Sequence, residues 1–150
     1  MPRVISSKLG AGYRTLAGTC GLIAAGMVAA PAAAQGIACT APQQGMQQVE
    51  LMFGRNIGGR LAVSNTVWLR FLAREVTPRF PEGLSVIDAA GQWQDRERGR
   101  VVREPSKLVM IVTADDPASR DKIAAIVAAY KDQFHQQSVG VVTRPVCAAF

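Results

Sequence analysis

The chain is poor in the side chains that usually carry metal and acid–base chemistry. It has one histidine, His135, and three cysteines, too few ordinary ligands for a zinc or copper centre, so no metal and no cofactor is expected. Aromatic residues make up 6% of the sequence and rarely interleave with the basic ones, which argues against nucleic acid as a partner. The one glycine-rich stretch, Gly54-Arg55-Asn56-Ile57-Gly58-Gly59, has neither the dinucleotide nor the P-loop spacing. No repeat, low-complexity tract or second domain is visible after residue 34. A long unbroken apolar run is also missing: residues 15–34 are interrupted by Gly18, Gly21, Gly26 and Pro31, and no charge stops them at the far side.

What is present first is an address. Arg3, Lys8 and Arg14 precede a small and apolar stretch that closes on Ala32-Ala33-Ala34, the order of a secretory signal with small residues at the cut. Residues 1–34 are therefore expected to be a cleaved signal peptide, and the mature chain to be periplasmic or secreted with no membrane attachment. A retained anchor is the competing reading. Lipidation at Cys20, after Leu16-Ala17-Gly18, is another, opposed by Thr19 where a small residue should sit. Losing Arg3, Lys8 and Arg14 takes the formal charge from +6 to +3, so half of the basic excess belongs to targeting.

Cys39 and Cys147 remain. In an oxidising compartment an isolated pair has one connectivity, so a Cys39–Cys147 disulfide is expected, the other reading being two free thiols.

Residues 35–46, rich in Gln, Ala and Gly with Pro42, read as an extended lead-in to a single domain over 47–150. Val49 to Phe53 reads as a first strand and Gly58-Gly59 as a loop. A helix capped by Ser64 or Asn65 carries Val67, Trp68, Phe71, Leu72 and Val76 on one stripe and ends at Thr77-Pro78. Leu84 to Ala90 is a second strand, with Gly91 expected as a bulge before Gln92 and Trp93. The polar turn from Asp95 to Arg100 joins it to a third strand, firmest at Lys107 to Val112, with 101–104 on an overhang because Pro105 lacks a ladder donor. Asp115-Asp116-Pro117 starts a second helix with Ile123, Ile126, Val127, Tyr130 and Phe134 on one face. Ser138 to Arg144, with Val139, Val141 and Val142, reads as a last strand before Pro145 and Cys147. Strand, helix, strand, strand, helix, strand predicts an α+β fold, a ferredoxin-like βαββαβ sandwich with a four-stranded antiparallel sheet and two helices on one face. The strand order 4-1-3-2 of that fold brings Cys39 and Cys147 together.

Phe53-Gly54-Arg55, the run from Thr77 to Leu84, Gly91-Gln92-Trp93, Glu104-Pro105-Ser106-Lys107 and Gln137-Ser138-Val139 together resemble a bacterial exported family, domain of unknown function 3574, over about residues 47 to 147. The resemblance implies no reaction and brings no catalytic residues.

Site candidates therefore rest on geometry. One end of the predicted sheet gathers Arg55, Arg60, Trp93, Arg96, Arg98, Arg100, Arg103, Glu104 and His135, where guanidinium groups beside Gly58-Gly59 would favour a small anion; a solvated basic turn is the plainer reading. Arg55, Trp93, Glu104 and Lys107 are the ligand-binding candidates, Glu104 with Lys107 or Arg55 being the one acid–base grouping worth testing. Trp68 reads as core, Trp93 as an exposed platform, and His135 as complementing a helix dipole. Because Leu108 to Val112 is apolar at every position, the face of the sheet left free by the helices is expected to be hydrophobic. That predicts a homo-oligomer formed through this face and an extracytoplasmic binding or interaction module. The rival expectation is a small enzyme acting on an anionic organic molecule at the arginine-rich end.

Overall fold

The computed structural model describes residues 37–97 and 99–150; the expected signal peptide, the first two residues of the lead-in and Arg98 lie outside them. Strand β1 spans Gln44–Gly54. Two short strands, β2 (Asn56–Ile57) and β3 (Arg60–Leu61), form a small hairpin of their own. Helix α1 (Asn65–Phe71) follows and continues as a π-helical turn over Leu72–Val76. Strands β4 (Ser85–Asp95) and β5 (Arg100–Thr113) form the long hairpin, helix α2 spans Pro117–Phe134, and β6 spans Gly140–Ala148. The large sheet is antiparallel throughout, in the order β4-β5-β1-β6.

Each helix starts where its local chemistry dictates. The Ser64 side chain accepts the Val67 N–H and caps α1. Asp116 does the same for α2, accepting the Ser119 N–H at 2.6 Å, with Pro117 in the first turn. At the far end of α2, His135 takes the left-handed conformation, φ 50°, that terminates a helix. The helix dipole thus ends on this histidine. The Thr77 N–H donates to Leu72 O, the wider i→i+5 spacing that closes the first helix just before Pro78.

Both helices cover the same side of the sheet, because Phe53 on β1 meets Trp68 and Phe71 from α1 and Tyr130 from α2, ring centroids 4.7–6.0 Å apart. Val49, Leu51 and Phe53 of β1 and Val109 and Ile111 of β5 supply the sheet's share of the core. Their alternation fixes the faces, since successive strand residues point to opposite sides. Trp68 is buried as expected, and four of the five α2 stripe residues are too.

Two readings of the strands change. The β4–β5 register runs one to one from Ser85↔Met110 to Asp95↔Arg100, so Gly91 is no bulge. What it provides is room: a Cβ there would stand 2.7 Å from the Ser106 hydroxyl. The strands are also longer than their apolar cores, β1 beginning at Gln44 and β6 running past Pro145 to Ala148. Backbone pairing at the sheet's ends needs no apolar side chain, and β6 is an edge strand, where proline is tolerated.

The overhang is as expected. β1 pairs with β5 only over Ser106–Thr113, so 100–105 pair with β4 alone. The Pro105 carbonyl accepts the Arg55 N–H at 3.1 Å, which orients its donor-less nitrogen toward Arg55 as well. The Arg55 carbonyl is thereby released from the ladder and accepts the N–H groups of Ala62 and Val63. A proline on β5 is thus what lets the chain leave the sheet and fold the β2–β3 hairpin back on Arg55. The disulfide between Cys39 and Cys147, Cα atoms 5.5 Å apart, ties the segment before β1 to the end of β6.

Candidate functional site

The register divides the sequence-derived candidates between the two faces. Ser106 lies opposite Gly54, Glu104 opposite Gly91 and Trp93 opposite Val102. All six belong to the helix-free face, where Trp93 is a diagonal neighbour of Glu104. Lys107 lies opposite both Phe53 and Asp88 and so belongs to the helix-covered face. Glu104 and Lys107 are three residues apart on an extended strand, an odd offset that sends them to opposite sides, and the acid–base grouping of the two does not form.

Around Glu104 the geometry is tight. A Cβ built on Gly54 would lie 2.8 Å from Glu104 Oε2 and 2.9 Å from Oε1, so the carboxylate lies flat on the Gly54 backbone. Its Oε2 accepts the Asn56 N–H at 3.2 Å. On the other side of that backbone the Tyr130 hydroxyl donates to the Gly54 carbonyl at 2.8 Å. Burial pushes the Tyr130 phenol well above its ordinary range, Arg55 pulls it down and Glu104 pushes it further up. It therefore stays a hydrogen-bond donor at any physiological pH. Trp93 stands half exposed beside this corner.

Arg55 does not line an open anion site. It is buried, and its Nε–H donates to the Val63 carbonyl at 2.7 Å, fastening the β2–β3 hairpin against the domain. Arg60, Arg96, Arg100 and Arg103 remain exposed in the same region. Lys107 is buried and pairs with Asp88. Gly54, Asn56 and Asp88 are not among the sequence-derived site candidates, and Ser106 beside Lys107 makes no serine–lysine pair because adjacent strand residues point to opposite faces; of these, Asp88 alone has a sequence signal, the hairpin register that sets it across from Lys107.

The remainder of the helix-free face is apolar: Met52, Ile87, Leu108, Met110 and Val142. Met52, Ile87, Trp93 and Val142 are 42–49% exposed. Polar relief comes from the Arg144–Glu50 ion pair and from Gln48, whose amide contacts both Glu50 and the Met110 sulfur. Among the described residues no helix is long and apolar enough to cross a membrane.

Residues 48–150 match the family described as Protein of unknown function (DUF3574). No curated protein matches the chain. Among solved structures, a phage SAM lyase in complex with S-methyl-5'-thioadenosine is similar with a TM-score of 0.54 at 17% identity, covering 69% of this chain and 90% of the lyase. A phage SAM lyase in its apo state gives 0.52 at 18%, covering 70% and 86%. The likeness is one of fold.

Proposed function

The chain belongs to the DUF3574 family, and on that premise we propose that it is an exported, periplasmic binding or interaction module that self-associates through its helix-free sheet face. The strand order supports the ferredoxin-like split arrangement as its topology, and the Cys39–Cys147 bridge fits an oxidising compartment. The observation that carries the reading is the apolar surface of Met52, Ile87, Trp93 and Val142 left in water on one side of the sheet, since surface of this kind usually marks an interface. Light scattering on the exported, disulfide-bonded protein at micromolar concentration should give a mass of two or more chains. Ile87→Lys should return it to a monomer while changing its own stability by no more than about 0.5 kcal/mol, as exposed substitutions do. A wild-type monomer refutes the proposal.

A second reading is a small enzyme acting on an anionic organic molecule at the arginine-rich end. It draws support from Glu104, a fixed carboxylate beside Trp93, and from the fold shared with a lyase, although folds host unrelated activities. A thermal-shift screen of organic acids, with S-adenosylmethionine and S-methyl-5'-thioadenosine added, tests it. Stabilisation that disappears in Glu104→Gln or Trp93→Ala supports the enzyme, and a flat screen favours the interaction module.

A further inference from the structure

A cleft of about 320 Å³ opens on the helix-covered side, between α1 and the edge strand β4, away from the apolar face discussed above. Leu69 and Leu72 line it from the first helix and its π turn and Val86 from β4, with Trp68 and Asn65 also in the lining and Lys107 and Asp88 as its charged groups. Leu69 is 60% exposed and Val86 36%, so two apolar walls face each other across water. The volume falls at the small end of ligand sites.

The ion pair at the end of the cleft is lopsided. The Lys107 side chain is 8% exposed and that of Asp88 77%. An ammonium has three donors, and among the described residues Asp88 is the one hydrogen-bond partner Lys107 has. Burying an ammonium is costly unless its charge and donors are met, and a carboxylate standing in water meets them in part. A plain anion approaching Lys107 is repelled by Asp88, and a plain amine approaching Asp88 by Lys107. A molecule carrying both charges avoids each repulsion.

We propose that this cleft binds a small zwitterionic amino acid with an aliphatic side chain. Its carboxylate accepts from the free donors of Lys107, its ammonium meets the exposed side of Asp88, and its side chain fills the space between Leu69, Leu72 and Val86. Recognition of the two charges gives selectivity, and the apolar walls give affinity.

Titration of the exported, disulfide-bonded protein with L-leucine, L-leucinamide and isovalerate tests the assignment. Leucine should saturate with a Kd of order millimolar, and both single-charge analogues should bind at least tenfold more weakly, a factor worth about 1.4 kcal/mol. Lys107→Met, which keeps the volume and removes the charge, should stay folded and lose leucine binding; Asp88→Asn should lose the preference for leucine over isovalerate. Should Lys107→Met fail to fold, Leu69→Ser on the exposed wall should weaken leucine at least fivefold. No saturable leucine binding, equal binding of isovalerate to the wild type, or unchanged affinity in the variants overturns the proposal. None of these outcomes alters the oligomeric state, so the result stands apart from self-association.

Discussion

Gly54 and Gly91 flank β5 on one face, and each makes space for a different polar side chain of that strand. Gly54 lets the Glu104 carboxylate lie against its backbone, and Gly91 lets the Ser106 hydroxyl do so. Neither has a positive φ, so their requirement is for room rather than for backbone freedom. Gly54→Ala should therefore destabilise the domain by about 1–3 kcal/mol, the usual cost of overpacking. In a Glu104→Ala background the same change should cost much less, because the colliding group is gone. Urea denaturation of the four proteins in this cycle measures the coupling, and additive effects would show that the clash relaxes elsewhere.

Helix α2 shows how a single element can be legible from end to end. Its start carries a testable charge effect: the Ser119 N–H, then the Ser119 hydroxyl, hold the Asp116 carboxyl below the ordinary aspartate range. Because the folded value is depressed, the stabilisation is complete above that range and is lost as pH falls through the folded value. Denaturation curves below about pH 4 should thus lose stability faster in the wild type than in Asp116→Asn, which keeps the cap without the titration; parallel losses would contradict this. The helices were readable because caps and the 3.6-residue apolar stripe are local signals. Strand ends are not, since Gln44 to Gln48 and Pro145 to Ala148 pair through backbone that leaves no mark in composition. Gly91 was misread because space for a neighbour and a kink ask for the same residue. The hairpin held more information than its propensities: its turn centre fixes Asp88 across from Lys107 and Gly91 across from Glu104. The burial of Arg55 was hidden because it depends on Pro105 releasing a carbonyl 50 residues earlier in the chain.

At the scale of the molecule, the disulfide closes almost the whole described chain, its two cysteines 108 positions apart in sequence. The chain-entropy account puts such a closure at about 4 to 5 kcal/mol, acting on the unfolded state. Paired Cys39→Ala and Cys147→Ala changes should lower the midpoint of urea denaturation accordingly with little change in the folded spectrum, and an unchanged midpoint would place the bridge's role elsewhere. The bridge also makes the two rims of the sheet unequal. β6 carries Pro145 and Arg144 and is anchored by Cys147, whereas β4 is exposed along nearly all of its length, with Asp88 as the one charge between Ser85 and Gln94. Strand-on-strand addition has somewhere to begin on one rim and is obstructed on the other. By that route a β4 edge would take one partner, and the β6 rim would offer no second place for growth, so a bare strand in water need not lead to fibres.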